Sequence, residues 1–326
     1  MPVAILHQAV PADAPADEQD VLVQVAAVEA SLGRLGHRTI TIPCTLNLEA
    51  LRQSLVAARP EIVFNLVESL GGSDALQPLV PALVESMRIP LTGASSQVIQ
   101  MTGRKGTAKR MLQHCGLPTP AWREAGHAEV SDFEPGTYIV KPLAEHASLG
   151  MTDADVVDVD TTDALDALIE SKSQALRRPC FAERYIDGRE FNLSLLADGS
   201  SRVQVLPPAE IRFEGFPAGK PRIVGHAAKW AVDSFEYAAT VRSFDLPPAD
   251  APLAQRLAGL ASACWSAFDT TGYARVDFRV DEAGEPWILE INANPCLSPD
   301  AGFLAAAQHA GLSYDDVVQR IVSAAW

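Results

Sequence analysis

The first hundred residues alternate between strand and helix patterns, and this alternation limits the possible folds most strongly. VAIL, RTITIP and EIVFNL are runs of β-branched and aliphatic residues that predict buried strands, with RIPLTG as a further short one. Between them, EQDVLVQVAAVEASLGRLGH and NLEALRQSLVAAR have helical apolar spacing, and Pro60 should end the second helix. Strands that alternate with helices form parallel sheets covered on both faces. Ligands bind beyond the carboxyl ends of such strands, where NLVESLGGSDA would lie.

Residues 103–187 have a different pattern, which predicts a smaller α+β unit. GRKGTAKRMLQHCGLPTP and TTDALDALIE are helical there, the latter capped by Thr161 or Thr162, while TYIVKP and CFAERYI are strand-like. The rest of the chain is rich in strands up to Phe244 and then contains a helix, a hairpin and two closing helices. We therefore predict an α/β chain of three domains, with boundaries 1–102, 103–187 and 188–326.

Composition limits the kinds of binding partner and the cellular compartment that we expect. With a formal net charge of -15, the surface repels phosphate backbones, so we expect no nucleic acid partner, and an anionic ligand needs a local cluster of Lys and Arg. The five cysteines are isolated and form no CxxC pair, which predicts reduced thiols in the cytoplasm. No apolar run has the length or flanks of a signal peptide or a membrane span.

The stretch YARVDFRVDEAGEPWILEINANP reads as two strands joined by a turn around Gly284. If the tip is Ala283–Gly284, antiparallel pairing sets Asp277 opposite Glu290 and Arg275 opposite Asn292. These four polar side chains then share one face of the hairpin. The opposite face, packed on a core, would consist of Val276, Phe278, Leu289 and Ile291. A loop of odd length would instead separate the two carboxylates onto opposite faces.

Two facing carboxylates repel each other unless a cation lies between them. Two acids and an amide oxygen suit a hard ion such as Mg²⁺ better than zinc or copper. The alternative is a solvated face on which Arg275 and Arg279 neutralise the acids. The irregular loop after LEINANP, which could bring backbone amides to a ligand, favours the metal.

Several segments together resemble a known family. RVDF…EPWILEINANP is similar to the metal-binding hairpin of ATP-grasp ligases, most of all the D-alanine–D-alanine ligase branch. GRKGTAKRMLQHCGLPTP, YIVKPLAEHASLGM, ERYIDGREFNLSLL and HAAKW follow the order and approximate spacing of that family. The resemblance implies an ATP-grasp fold, in which a parallel α/β N-terminal domain precedes two α+β domains that clamp ATP.

The resemblance also implies roles for individual residues. The nucleotide would be bound by Lys105, Lys141, Glu183, Tyr185, Ile186, Glu190 and Lys229. The expected ligands of Mg²⁺, or of Mn²⁺ in its place, are Asp277, Glu290 and Asn292, and the expected catalytic groups are Arg275, Lys229 and Ser148. Most of these residues could instead be surface residues without a binding role. Lys105 and Lys109 are one turn apart, as on a solvated helix face, and Glu183 and Glu190 could be outward-facing strand residues.

Three segments depart from the family pattern. After Lys141, LAEHASLGM has His146 and Ala147 where Gly and Ser are usual, although Ser148 remains for a phosphate-binding loop. Near the N-terminus, PADAPADEQDVL replaces the segment whose acid holds the first amino group, and Asp17 or Glu18 are the candidates.

The substrate end also differs. Ala301 stands where the family has a serine that holds the second carboxylate, so Ser298 or Asp300 could reshape that pocket, Asp300 being better suited to an amine. Trp230 replaces a usual tyrosine. Glu68, at the end of a predicted strand, could hold an amine or merely cap the next helix.

These features predict an ADP-forming carboxylate–amine ligase that works through an acyl phosphate and acts on amino acids or related small molecules. Arg275 would stabilise the tetrahedral oxyanion, and no GxSxG, P-loop or GxGxxG motif competes with this reading. The alternatives are D-alanine–D-alanine ligase proper, a small-molecule phosphotransferase with the same nucleotide site, and a non-catalytic nucleotide-binding protein. The family also includes homodimers, for which the sequence shows no interface.

Overall fold

The computed structural model describes residues 1–11, 13–125, 133–145, 148, 150–198 and 202–326, without the side chains of Ala16 and Asp17. His146, Ala147 and the Asp17 side chain, which the sequence patterns singled out, therefore lie outside the described residues. Of the helices in the described part of the chain, none combines the length and apolarity that a membrane span requires.

The N-terminal part of the chain forms a three-stranded parallel sheet of order β2-β1-β3, which confirms the predicted βα alternation. Its elements and the helices that follow are β1 (Pro2–Gln8), α1 (Ala16–Arg34), β2 (Arg38–Cys44), α2 (Leu48–Ala58), β3 (Ile62–Asn65), α3 (Leu79–Ser86), α4 (Ser96–Gly103) and α5 (Lys105–His114). Asn47 caps helix α2 by accepting a hydrogen bond from the Ala50 amide, and the helix ends two residues before Pro60, as predicted.

Strand β1 is buried on both faces. Ile5 packs in one core with α1 and the C-terminal helix of the chain, and Leu6 in another with α2 and α3. The predicted strand RIPLTG is wrong, because in the described structure only Leu91 makes a single bridge, to Val63. Pro90 next to it has no N–H with which to extend the ladder.

The middle of the chain forms a four-stranded antiparallel sheet of order β4-β7-β5-β6, here called the small sheet. Its elements are β4 (Trp122–Glu124), β5 (Gly136–Pro142), β6 (Val156–Val159), α6 (Thr162–Leu176) and β7 (Cys180–Arg184). Thr161 caps α6 by accepting from the Ala164 amide. Helix α6 covers this sheet through Leu165 and Ile169, which pack on Val140.

The C-terminal part contains a six-stranded sheet, here called the large sheet, in the order β11-β10-β8-β12-β13 with β9 paired to β8. Its elements and neighbours are β8 (Arg189–Ala197), β9 (Val203–Val205), β10 (Ala209–Phe213), α7 (His226–Trp230), α8 (Phe235–Ala239), β11 (Thr240–Ser243), α9 (Ala251–Ala267), β12 (Tyr273–Val280), β13 (Pro286–Asn292), α10 (Gly302–His309) and α11 (Tyr314–Ser323).

Two cores cross the predicted domain boundaries. Helix α5 packs through Ala108 and Leu112 on the large sheet, in the core that also contains α4 and α9. Helices α10 and α11 pack against α1 in the core of the N-terminal sheet. The boundaries at 102 and 187 remain a prediction, and we propose that α5, although it lies within 103–187, folds together with the large sheet.

Gly188 marks the passage from the small sheet to the large one. Its φ is +148°, and a Cβ built on it would lie 2.0 Å from the carbonyl oxygen of Val280. Replacement of Gly188 by alanine should therefore lower the free energy of unfolding by about 3 kcal/mol, because backbone strain and a clash with main-chain atoms add. Chemical denaturation measures the change.

Gly284 provides the matched control for Gly188. Its φ of +83° is also left-handed, but no atom lies within 4 Å of a Cβ built on it. Gly284→Ala should cost only about 1 kcal/mol, the conformational part of the effect. Equal losses of stability in the two variants would contradict the role assigned to the Val280 contact.

Candidate active site

The hairpin of β12 and β13 pairs as the sequence predicted, but by a different route. Arg275 lies opposite Asn292 and Asp277 opposite Glu290. The loop is odd in length, since Asp281 donates its amide to the Glu285 carbonyl and leaves three residues at the tip. A β-bulge after Asp277 corrects the register, because Phe278 pairs with Ile288 and skips one residue of β13.

The skipped residue of the bulge is Leu289, and it overturns one expectation. Leu289 lines the cleft on the same side as Glu290 instead of filling the core. Ile288, which is fully buried, takes its place beside Val276 and Phe278. The bulge thus brings both carboxylates to one face and gives that face an apolar neighbour.

Each hairpin carboxylate is paired with a cation. Arg275 forms a bidentate ion pair with Asp277, with Nε–Oδ1 and Nη2–Oδ2 distances of 2.7 Å, and the Asn192 amide donates to the same carboxylate at 2.8 Å. Lys105 Nζ lies 3.2 Å from Glu290 Oε2. Burial opposes the charge of Lys105, but Glu290 raises its pKa above the ordinary value. Arg275 thus pairs with one of the hairpin acids, but Arg279 pairs with Glu190 and Asp277 is only 7% exposed, so this is not the solvated face of the alternative.

The third expected metal ligand lies apart from the cavity. Asn292 is on the same face in register, but its Oδ1 accepts from the Asn294 amide at 2.9 Å and the residue does not line the cleft. Two carboxylates that face each other beside a backbone bulge still suit a hard divalent cation. The donor chemistry of Asp277 and Glu290 thus fits the expected ion, and the role of Asn292 remains a prediction.

A buried carboxylate joins α5 to the small sheet. Glu183 on β7 is 1% exposed and pairs with Lys141 on β5, while its Oε2 lies 2.7 Å from Lys109 Nζ on α5. Burial alone would raise the pKa of Glu183, but the two ammonium groups lower it to about 2. The alternative that Glu183 faces outward is wrong.

Lys109 was missed as a site residue because its spacing from Lys105 is that of an ordinary solvated helix face. In the structure Lys109 is 1% exposed and donates to Thr119 Oγ1 at 2.9 Å as well as pairing with Glu183. Burial lowers its pKa despite the facing carboxylate. No sequence signal separates this lysine from a surface one, since the difference depends on which sheet α5 packs against.

The end of the cleft next to β7 and β8 contains the other residues expected to bind the nucleotide. Tyr185 and Ile186 follow β7 and line the cavity with Glu190 of β8. Glu190 is 8% exposed and its Oε2 lies 3.2 Å from a guanidinium nitrogen of Arg279. That guanidinium also lies over the rings of Tyr185 and Phe213. An outward-facing Glu190 is therefore excluded.

Ser148, from a loop, and Lys229, from a short helix, also reach the cleft. Ser148, at φ +60°, donates to the Val224 carbonyl at 3.0 Å. Lys229 lies on the short helix α7 next to Trp230, and both line the cavity. Burial, followed by the nearby Arg275 charge, lowers the pKa of Lys229.

The far end of the cleft is formed by α1 and the loop after the hairpin. Asp20, in the second turn of α1, lines the cavity and accepts from Ser298 Oγ at 2.9 Å and from the Cys296 thiol at 3.1 Å. In this segment the sequence pointed to Asp17 and Glu18 but not to Asp20. Choosing among the three acids requires the rotation of α1 about its axis, which tertiary packing sets.

Glu68 does not line the cavity but is connected to this end of it. Gln24 joins it to Asp20, with Nε2 distances of 2.9 Å to Glu68 and 3.4 Å to Asp20. Burial, with the charges of Asp20 and Asp74 adding to it, raises the pKa of Glu68 to about 7. This position outside the cavity lining does not support the predicted role of Glu68 as an amine-binding group. Asp20, which lines the cavity, is better placed for that role.

One cleft of 670 Å³ brings most of the predicted residues together. They are Lys105, Lys141, Ser148, Glu183, Tyr185, Ile186, Glu190, Lys229, Trp230, Arg275, Asp277, Glu290, Ser298 and Asp300. Glu68 and Asn292 are outside this lining, and Asp20 and Arg242 are lining residues that the sequence patterns did not single out. Lysines from two sides, a paired-acid hairpin and an arginine define the site of an ATP-grasp enzyme.

Comparisons with known proteins identify the family. The family model described as D-ala D-ala ligase C-terminus matches residues 119–323. The D-alanine–D-alanine ligase of Moorella thermoacetica is 30% identical over 320 residues, covering 95% of this chain and 96% of that protein. An uncharacterised protein of Sinorhizobium fredii is also 30% identical, covering 92% of this chain and 86% of that protein.

Solved structures share the fold. The D-alanine–D-alanine ligase of Bacillus anthracis complexed with ATP superposes with a TM-score of 0.72 at 22% identity, covering 100% of this chain and 97% of that one. The chain belongs to the D-alanine–D-alanine ligase family and has its ATP-grasp fold. It is an ADP-forming ligase that uses ATP to join a carboxylate to an amine, which confirms the predicted reaction class.

The buried pairing of Glu183 gives a stability prediction. Glu183→Gln leaves Lys109 and Lys141 without their carboxylate, which should lower the free energy of unfolding by about 3 kcal/mol. Denaturation by urea measures this. The control is the double variant Glu183→Gln/Lys109→Met, which no longer buries an unpaired ammonium at 109 and should recover part of the loss. A single variant as stable as the wild type would contradict the pairing.

The raised pKa of Glu68 gives a pH prediction. Below about pH 4.5 the carboxyl is protonated in both folded and unfolded chains. As the pH rises to about 7, the unfolded chain loses this proton first, so stability falls, by at most about 3 kcal/mol. Glu68→Gln should remove this fall, so the variant should gain relative to wild type between pH 4.5 and 8. Urea denaturation at several pH values tests it, and parallel profiles would refute the assignment.

Proposed function

We propose that this ligase condenses two amino acids or closely related small molecules through an acyl phosphate, with ATP and Mg²⁺. The observation that supports this most directly is the placement of Asp277 and Glu290 on one face of a hairpin, in the same cleft as Lys105 and Lys141. Phosphoryl transfer requires positioning and charge neutralisation more than a protein nucleophile, and this cleft offers both.

Three lysines and the residues around the passage from β7 to β8 are assigned to the nucleotide. Lys105 and Lys141 approach from α5 and from the small sheet, where their ammonium groups would bind phosphate oxygens. Tyr185 and Ile186 would offer backbone groups to adenine, and Glu190 its carboxylate to the ribose hydroxyls. Lys229 adds a third cation near the hairpin. This cluster of cations provides the local positive charge that an anionic ligand needs on a chain with a negative net charge.

The hairpin acids are assigned to the divalent ion. Asp277 and Glu290 would hold Mg²⁺ or Mn²⁺, with Asn292 as a further oxygen donor, and the ion would neutralise charge on the triphosphate. Arg275 lies beside Asp277 and points into the cleft, where its fixed guanidinium would stabilise the oxyanion formed when the amine attacks the acyl carbon. The acyl phosphate breaks at its C–O bond, and inorganic phosphate leaves.

Asp20 is assigned to an ammonium group of a substrate. Its carboxylate lines the far end of the cleft and is oriented by Ser298 and Cys296. An amino acid held there by its ammonium would direct its carboxylate toward the centre of the cleft. This arrangement supports amino acids as the carboxylate substrate, whereas Ala301 and the divergent first loop support a pair other than two D-alanines.

The assignment is tested by measuring ADP, phosphate and condensed product with a panel of D- and L-amino acids. The wild type should form a dipeptide with at least one pair, and magnesium removal by a chelator should abolish turnover. Asp277→Asn and Glu290→Gln should each lower kcat by about 100-fold or more. Glu282→Gln, an exposed acid at the tip of the same hairpin, is the matched control and should retain activity.

One outcome would contradict the proposed reaction, and another would contradict only the inference that the substrates are other than two D-alanines. Accumulation of a stable phosphorylated product without a condensed one would indicate a phosphotransferase. Strong activity with D-alanine alone, and with no other amino acid, would identify the substrate pair that is named for the Moorella thermoacetica relative.

A further inference from the structure

The amine-donating side of the cleft lacks the expected side chain for a substrate anion. Ala301, which takes the place of the family's serine, is the residue before α10, and its methyl group makes no capping hydrogen bond. Asp300 next to it is exposed and negatively charged, so it would repel a carboxylate. If the second substrate carries an anion, some other residue must bind it.

Arg242 has the position for this. It lies on β11, the edge strand of the large sheet, and lines the same cleft as Asp300, Ala301 and Gly302. One guanidinium nitrogen donates to the Asp300 carbonyl oxygen at 3.3 Å. A Cβ built on Gly302 would lie 3.5 Å from Arg242 Nε, so the guanidinium lies directly beside the residue that follows Ala301.

The charge of Arg242 is available to a ligand. Among the described residues, no carboxylate oxygen lies within 4.0 Å of its nitrogens, although ion pairs involve many other arginines of the chain. Burial, and then the charge of Arg275, lowers the pKa of Arg242. Two guanidinium groups that repel each other across one cleft are stabilised by an anion between or beside them.

We propose that Arg242 binds a carboxylate of the amine-donating substrate and so replaces the serine hydroxyl that Ala301 lacks. This assignment rests on the proposed function and sharpens it, because it requires the attacking amine to belong to an amino acid and not to a simple amine. A guanidinium can bind a carboxylate through two parallel hydrogen bonds, a stronger and more directional contact than a hydroxyl offers. The positive end of α10 lies on the same side and favours the same charge.

A structural role is the competing explanation. In that case Arg242 would only hold the loop at Asp300 through the carbonyl hydrogen bond. Binding and structural roles differ in what they change: loss of a binding group raises KM for one substrate, whereas a shifted loop near Arg275 would lower kcat and stability as well.

The test uses D-alanine, L-alanine and glycine as amine donors, each compared with its carboxamide and with ethylamine. The wild type should use the free acid that gives dipeptide at least about 10-fold better than its carboxamide, because only the acid pairs with Arg242. Arg242→Met should raise KM for that amino acid by about 10- to 100-fold and leave KM for ATP unchanged. It should also remove the preference for the acid over the carboxamide, and Arg242→Lys should restore part of it.

Arg212→Met is the matched control, since Arg212 lies on the neighbouring strand β10 of the same sheet edge but does not line the cleft. It should keep the KM values and the preference of the wild type, and thermal melting should show all variants folded. A wild type that forms dipeptide but prefers the carboxamide, or an Arg242→Met variant with an unchanged KM, would overturn the assignment. A wild type that forms no condensed product with any amino acid would overturn the proposed function, and this assignment with it.

Discussion

The register of the β12–β13 hairpin is the constraint on which the site depends. A strand turns alternate side chains to opposite faces, so one residue of slippage would send Asp277 and Glu290 to different sides. The three-residue tip around Gly284 produces such a slippage, and the bulge at Leu289 reverses it. Two local irregularities therefore cancel, and the acids, Arg275 and Lys105 meet in one cleft as a result.

Charge is distributed unevenly in this protein. The chain has a formal net charge of -15, yet the cleft gathers the ammonium groups of Lys105, Lys141 and Lys229. The buried carboxylate of Glu183 offsets one of these lysines, Lys141, together with the buried Lys109, and so connects α5, which packs with the large sheet, to the small sheet. The same pairing that stabilises the fold thus holds Lys141, for which we propose phosphate binding, in position.

The two ends of the cleft differ in how closely their residues match the family pattern. At the end proposed for the nucleotide, residues that the resemblance implies line the cleft, on the passage from β7 to β8 and on the hairpin with the exception of Asn292. At the substrate end, Asp20 and Arg242 come from elements that carry no recognisable motif. The retained nucleotide half and rebuilt substrate half that we propose are what a change of substrate within one reaction class would require.

The sequence by itself determined the βα alternation, the end of α2 before Pro60, the start of α6 at Thr161 or Thr162 and the reaction class, because each depends on local spacing or on a motif read along the chain. Only the tertiary structure decided that Lys109 is buried, that Leu289 faces the cleft, and that Asp20 and Arg242, far apart in the chain, line one cleft. Burial, helix rotation and contacts between distant elements depend on how sheets and helices pack, and a pattern of neighbouring residues contains no measure of that packing.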